Sequence, residues 1–219
     1  MGHRVSMAED DVRNELLAFV GGVHPCRRLP EALAVVAALS WCGAAAAQDC
    51  PTARSGRPGF VVERQGFKTE VFHVDGGIVR SVLRGGNTVL LETTQQEGLF
   101  QLDRLDRGRR TKYEPQSDLK KLFPLKPGRS VEARFATESN GQRGALWVKL
   151  DVKGKDLLYI GPCKYEVLKI ERSESRTDAT PAFMDTDYYS PELKLVLAKE
   201  YRDNGATHLV KFDRIDAQK

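Results

Sequence analysis

The tightest constraint on this chain is its cadence from residue 59 onward. Short runs rich in β-branched, aromatic and leucine residues recur, each closed by turn chemistry: Asp75-Gly76-Gly77, Gly85-Gly86-Asn87, Glu97-Gly98, Arg107-Gly108, Asn140-Gly141, Lys153-Gly154 and Asn204-Gly205. Asn-Gly and Gly-Gly supply the positive φ that tight hairpins require. The pattern predicts strands over 59–65, 67–75, 78–84, 88–94, 99–105, 109–113, 130–137, 145–152, 164–172, 194–201 and 207–215. Links this short dictate antiparallel neighbours, because a parallel pair needs a crossover of about a dozen residues or more. Without alternating long helices, a parallel α/β fold is excluded.

Several runs alternate. Val131, Ala133 and Phe135 oppose Glu132 and Arg134; Leu146, Val148, Leu150 and Val152 oppose Lys149 and Asp151; Leu193, Leu195 and Leu197 oppose Lys194. One wet and one apolar face per strand requires cover for the apolar face by closure, a second sheet or a helix. The run 164–172 changes phase between Val167 and Leu168, which means either a bulge or burial on both faces. One short helix is predicted over 117–123, capped by Ser117 or Asp118 and ended by Pro124. The polar stretch 173–185 reads as a long loop.

The N-terminal part has a different character. Arg27-Arg28 precedes an apolar run from Ala32 to Trp41 and then Gly43-Ala44-Ala45-Ala46-Ala47. A basic region, about ten apolar residues and an A-x-A site describe a secretory signal peptide over 27–47, with cleavage before Gln48. An uncleaved anchor is the alternative and a buried core helix a third; Pro30 and Glu31 shorten the apolar part below the roughly 20 residues a span needs. Trp41 before Cys42 and Asp49 before Cys50 do not suit a lipoprotein signal. Leu29-Pro30-Glu31 after the arginine pair fits twin-arginine export poorly. Residues 1–26, with acidic Glu9-Asp10-Asp11, read as a non-native upstream extension with the true start further in, or as an amphipathic helix over 12–20. The domain organisation expected is thus 1–26 extension, 27–47 signal and 48–219 a single antiparallel β domain. That domain stays basic, because Arg4, Arg13, Arg27 and Arg28 would leave together with Glu9, Asp10, Asp11, Glu15 and Glu31. A domain of this size buries roughly 70% of its unfolded surface.

Cleavage would remove Cys26 and Cys42 and leave Cys50 and Cys163. An even pair in an exported chain reads as a disulfide. It would tie down the terminus and close a loop of about 110 residues, worth on the order of 4–5 kcal/mol at most. A reactive thiol is the alternative.

Catalytic constellations are missing from the sequence. Only His73 and His208 remain after cleavage, both on predicted strands; no G-x-S-x-G elbow is present, and no metal-ligand spacing. Asp185-Thr186-Asp187 lacks the carboxylates and glycine of a calcium loop and reads as a solvated loop. No phosphate-binding glycine loop precedes a helix. No catalytic, metal or cofactor site is expected, and no enzyme. Arg104, Arg107, Arg109, Arg110 and Lys112 form the most basic cluster, interrupted by Asp103 and Asp106. It is a candidate surface for an anionic envelope partner, or a hairpin tip kept soluble by charge. Nucleic acid is not an expected partner, since no aromatics interleave the charges, and membrane contact is expected only through the uncleaved signal. Tyr188-Tyr189-Ser190-Pro191 reads as packing at the start of the C-terminal hairpin, with Pro191 where no ladder donor is needed.

Three passages carry a resemblance: Phe123-Pro124-Leu125-Lys126-Pro127-Gly128, Gly161-Pro162-Cys163-Lys164-Tyr165-Glu166-Val167, and Tyr188-Tyr189-Ser190-Pro191-Glu192-Leu193 followed by Val196 and Lys199. In this order they resemble uncharacterised exported proteobacterial proteins of a domain-of-unknown-function type, distantly similar to the lipoprotein-carrier (LolA-like) half-barrels. The resemblance covers about 123–215 and makes Pro124, Gly128, Tyr165, Tyr188, Tyr189 and Pro191 structural motif residues. Cys163 departs from the small residue expected there. The resemblance implies a mainly β fold: a strongly curved antiparallel half-barrel sheet with one short helix, preceded by the signal helix. It also implies a concave apolar face able to hold a lipidic ligand. The function expected is that of a periplasmic, non-catalytic protein binding a lipidic or apolar envelope ligand. The alternative is an envelope interaction or structural module acting through the basic hairpin or an open edge strand.

Overall fold

The computed structural model describes residues 50–55, 58–176, 183–203 and 205–218. The expected signal segment 27–47, the extension 1–26, Cys26, Cys42 and Asn204 lie outside the described residues. Thirteen strands follow one another: β1 Gly59–Arg64, β2 Phe67–Val74, β3 Ile78–Gly85, β4 Thr88–Gln96, β5 Phe100–Asp106, β6 Arg109–Pro115, β7 Ser130–Ser139, β8 Gln142–Ile160, β9 Cys163–Ser175, β10 Phe183–Ser190, β11 Leu195–Asp203, β12 Ala206–Lys211 and β13 Arg214–Ala217. They form one antiparallel sheet in the order β12-β11-β10-β9-β8-β7-β6-β5-β4-β3-β2-β1-β13. The expected mainly β class with a single antiparallel sheet is the observed one.

The ladder order is not a closed ring, since among the described residues β12 pairs only with β11 and β13 only with β1. Yet these two edge strands are consecutive in sequence, separated only by Phe212 and Asp213. The Phe212 amide donates to the Leu197 carbonyl and the Asp213 amide to the Glu63 carbonyl. One stretch of chain thus serves both edges, and the sheet must curl back on itself to allow it.

Two apolar clusters pack against the sheet. The first joins Phe60, Val62, Val71, Val79, Leu158, Ile160, Cys163, Tyr165, Val167, Tyr188, Leu193, Leu195, Leu197 and Ile215. The second joins Leu99, Phe100, Leu119, Leu125, Val131, Ala133, Phe135, Val148, Leu150, Val152, Leu168, Ile170 and Tyr189. The phase change in β9 is explained by this division. Val167 belongs to the first cluster and Leu168 to the second, so β9 is buried on both faces. Tyr188 and Tyr189 on β10 divide in the same way, consistent with the direct opposition of Tyr189 to Leu168. A bulge lies beside the switch, on β8 between Val152 and Gly154.

Several sequence expectations are revised. The stretch 117–123 contains a single 3-10 turn, Leu119–Leu122, with the Asp118 side chain accepting from the Lys120 amide. Its Leu119, followed by Leu125, still plugs the second cluster. The polar loop expected over 173–185 is largely strand: β9 continues to Ser175 and β10 begins at Phe183, with Phe183 opposite Glu174. The run 207–215 is two strands, because the chain turns at Phe212-Asp213 to change edges. Pro191 lies in the turn between β10 and β11 and does not start a strand.

Candidate functional site

The curl of the sheet brings the turn between β4 and β5 against the turn between β10 and β11. The Tyr189 hydroxyl donates to the Glu97 carbonyl at 2.8 Å. Lys194 Nζ lies 2.8 Å from Glu97 Oε2. Gly98 sits so close that a Cβ there would fall 1.9 Å from the Lys194 carbonyl oxygen. On the other side of the β10–β11 turn, His73 Nε2 donates to the Leu193 carbonyl at 2.9 Å, and its ring meets Phe60 edge-on. Burial lowers the His73 pKa, more than the carbonyl bond raises it.

Next to this junction the sheet holds charges inside. Arg172 on β9 is buried, with Nε donating to Asp187 Oδ2 at 2.7 Å, Nη1 to Glu174 at 3.1 Å and Nη2 to the Leu99 carbonyl at 2.8 Å. Lys199 Nζ on β11 bonds Asp185 Oδ2 at 2.7 Å and lies 2.8 Å from Asp187 Oδ1. Asp185 Oδ1 is buried without a hydrogen-bond partner. Burial works against the charge of Asp187, but Arg172 and Lys199 outweigh it and hold that carboxyl below its ordinary value. Burial and the neighbouring Asp187 push Asp185 the other way. Two carboxylates with divergent pKa values resemble an acid–base pair. Here both are sealed beneath the sheet and committed to cations, so the arrangement binds β9, β10 and β11 to the β4–β5 turn.

This cluster overturns the reading of Asp185-Thr186-Asp187 as a solvated loop. Both aspartates are on β10, with side chains at most 1% exposed. A signal was available: Arg172 continues the Leu168, Ile170 stripe, so its charge falls on a buried face. Sequence alone could not supply its partners, because Asp187 and Leu99 reach it only through the strand order.

The five basic residues of the β5–β6 hairpin do not form one patch. Opposed residues in an antiparallel pair share a face, and Arg104 lies opposite Thr111, Leu105 opposite Arg110, and Asp106 opposite Arg109. Arg104 and Arg109 therefore share one face, Arg110 and Lys112 the other, and Arg107 lies in the turn. Arg104 pairs with Asp106 at 2.6 Å and Arg110 with Asp103 at 2.9 Å.

Cys50 and Cys163 are joined in a disulfide, with Cα atoms 5.4 Å apart. Among the other motif residues, the amide of Gly128 donates to the Val152 carbonyl, and the Pro124 carbonyl accepts from Arg129 Nη1. Tyr165 is buried in the first cluster. Tyr188 donates to Glu200 Oε2 and lies under Lys169. His208 stacks on Tyr201. Among the described residues, no group of three or more His, Cys, Asp or Glu is placed to hold a metal ion, and no helix is long and apolar enough to cross a membrane.

The remaining distinctive feature is an edge. In a hairpin closed by two residues, the pairs Asp203–Ala206, Tyr201–His208 and Lys199–Val210 exchange both bonds. Thr207 and Leu209 then aim their amides and carbonyls away from β11. Both are exposed, Leu209 by 51%. A further free edge, on β8 beyond the last β7 pair at Asp151, is guarded. There the Leu157 amide bonds Asp156 Oδ1 at 2.7 Å, and the Tyr159 carbonyl accepts from Lys211 Nζ at 3.0 Å. Among the described residues no side chain caps the outward groups of Thr207 and Leu209.

No protein-family model matches the chain, and no curated protein matches it. Among solved structures it is similar to the hypothetical lipoprotein YmcC from Escherichia coli (K12). Identity is 10%, coverage is 69% of this chain and 85% of that one, and the TM-score is 0.45. At this distance the chemistry of the surface has to be read from the chain's own residues.

Proposed function

We propose that this is an exported, non-catalytic envelope module that takes up an extended segment of a protein partner along β12. The observation carrying this reading is the open edge of β12, exposed at Thr207 and Leu209 while the comparable edge of β8 is capped by Asp156 and Lys211. Strand addition draws affinity from main-chain hydrogen bonds, and an unprotected edge invites it. The Cys50–Cys163 disulfide supports an oxidising compartment, and the periplasm together with a lipoprotein-carrier-like half-barrel kinship belong to the same proposal. Lipid uptake has less support, because the largest apolar side chains of both clusters, among them Phe60, Phe100, Leu150, Ile170 and Leu193, are already covered by the protein's own packing at 0% exposure.

The test uses the geometry of the edge. Leu209→Pro removes an outward amide and leaves the β11 ladder its donors, since proline is tolerated on the solvent side of an edge strand. A photoreactive side chain at Thr207, activated in cells, should crosslink to one partner segment at every second residue. Adding Leu209→Pro should abolish the crosslink with the circular dichroism spectrum unchanged. A crosslink that survives Leu209→Pro, or contacts without a strand period, would overturn the reading. Purified protein that takes up acyl chains stoichiometrically would favour the lipidic ligand instead.

A further inference from the structure

Residues 50–55 belong to no strand of the sheet, yet they are tied to it. The disulfide fixes Cys50 to Cys163 at the start of β9, and the Ala53 amide donates to Glu192 Oε1 in the β10–β11 turn at 3.2 Å. Between these anchors Pro51 is buried. Thr52 and Ser55 close a local turn, the Thr52 amide donating to Ser55 Oγ at 2.7 Å. β1, which begins at Gly59, is a further wall of the first apolar cluster. The segment therefore runs as a strap from β9 past the β10–β11 turn toward β1.

The β9 anchor of the strap stands in a distinctive place. Cys163 and Tyr165 are two residues apart on one strand and share a face, and both belong to the first cluster together with Leu193 of the β10–β11 turn. The Tyr165 hydroxyl is buried without a hydrogen-bond partner, an arrangement that costs free energy wherever it persists. Burial first, and then the charges of Asp216 and Glu192, push Tyr165 up to about 12. Glu192 is thus shared: it holds the strap through Ala53 and acts on the tyrosine.

We propose that residues 50–55 form a redox-latched cap over this end of the first cluster, opening when the Cys50–Cys163 bond is reduced while the sheet remains intact. The chemistry needs a dithiol as reductant. Its thiolate attacks the sulfur of exposed Cys50, the S–S bond breaks, and Cys163 leaves as a thiolate and takes up a proton. The second thiol of the reductant then resolves the mixed disulfide, which frees Cys50 as a thiol and leaves the reductant oxidised. Two electrons and two protons enter the protein. Reduction removes the covalent tie of the strap to β9, and no ladder bond of the sheet is lost with it.

The experiment compares the full chain before and after dithiothreitol treatment, with Cys50→Ser as a permanently unlatched form. Far-UV circular dichroism should stay unchanged, while fluorescence of an apolar-surface dye rises severalfold. The alkaline titration of tyrosine absorbance should show one group moving from about 12 toward the ordinary value near 10. That moving group should be missing in Tyr165→Phe. Dye binding and titration that ignore reduction would overturn the proposal, because the cap would then stay shut without its latch. Loss of the far-UV spectrum on reduction would overturn it as well, making the bond a staple of the whole fold.

Discussion

Arg172 offers the sharpest test of how this sheet is held in its curve. Arg172→Met keeps the length of the side chain and removes its charge. The change deletes three hydrogen bonds: to Asp187 at 2.7 Å, to Glu174 at 3.1 Å and to the Leu99 carbonyl at 2.8 Å. Glu174 is partly exposed and can turn to water, so its loss is minor. Asp187, with a side chain 0% exposed, cannot. Breaking a buried pair on one side costs about 3–5 kcal/mol, because a charge is left without compensation. Lys199 remains 2.8 Å from Asp187, which places the expected loss toward the lower figure. For a domain of this size each kcal/mol shifts the melting temperature by about 2–4 °C, so Arg172→Met should melt about 10 °C lower at neutral pH. Arg172→Met with Asp187→Leu removes both charges and should recover at least half of that loss, since apolar replacement of a whole buried pair is often neutral or stabilising. The penalty of the single variant should also shrink in acid, where Asp187 without Arg172 takes up a proton. Thermal and urea unfolding read by circular dichroism check all three. A single variant within about 1 kcal/mol of the parent, or a double variant no better than the single, would sink this account of the buried charges.

Other outcomes follow from the same structure. Gly98→Ala should cost roughly 2 kcal/mol or more, from backbone strain and a forced contact together. Its φ is 68° and the new Cβ would meet the Lys194 carbonyl. Gly86→Ala should cost only about 1 kcal/mol, the strain of the left-handed backbone alone. Gly86 has a φ of 58° and nothing within 4 Å of where its Cβ would stand; thermal melts of the two variants separate turn strain from junction contact. His73 has a folded pKa held below 6.5 by burial, so its contribution is present above that value and lost as the pH falls beneath it. His73→Phe should flatten stability between about pH 7 and 5. At the alkaline end, burial raises Tyr165 to about 12 and Tyr189 still further. The folded state then resists ionisation that the unfolded chain undergoes near 10, and stability should decline as the pH rises past that value. Tyr189→Phe should lessen the decline while losing the bond to the Glu97 carbonyl.

Local sequence dictates the strands and their antiparallel sense. Turn chemistry and two-residue alternation are properties of neighbouring residues, and short links leave no other pairing open. The phase change at Val167-Leu168 was also legible, and its cause needed the two clusters to be seen on opposite faces of β9. Cys50 and Cys163 are the pair the sequence leaves when Cys26 and Cys42 are set apart with the expected signal segment, and the disulfide joins them. Charge does not mean solvent exposure in this chain. Arg172, Asp185 and Asp187 look like surface residues one by one, and the stretch holding the two aspartates looked like loop. They are buried because the curled sheet brings β9, β10 and β11 to the β4–β5 turn, and each charge then has a partner. The five basic residues of the β5–β6 hairpin are adjacent in sequence yet divided by pairing between two faces. Which edge stays open is settled by the tertiary arrangement. Whether a backbone amide faces water depends on where a neighbouring strand ends, and on whether a distant lysine such as Lys211 arrives to cap it.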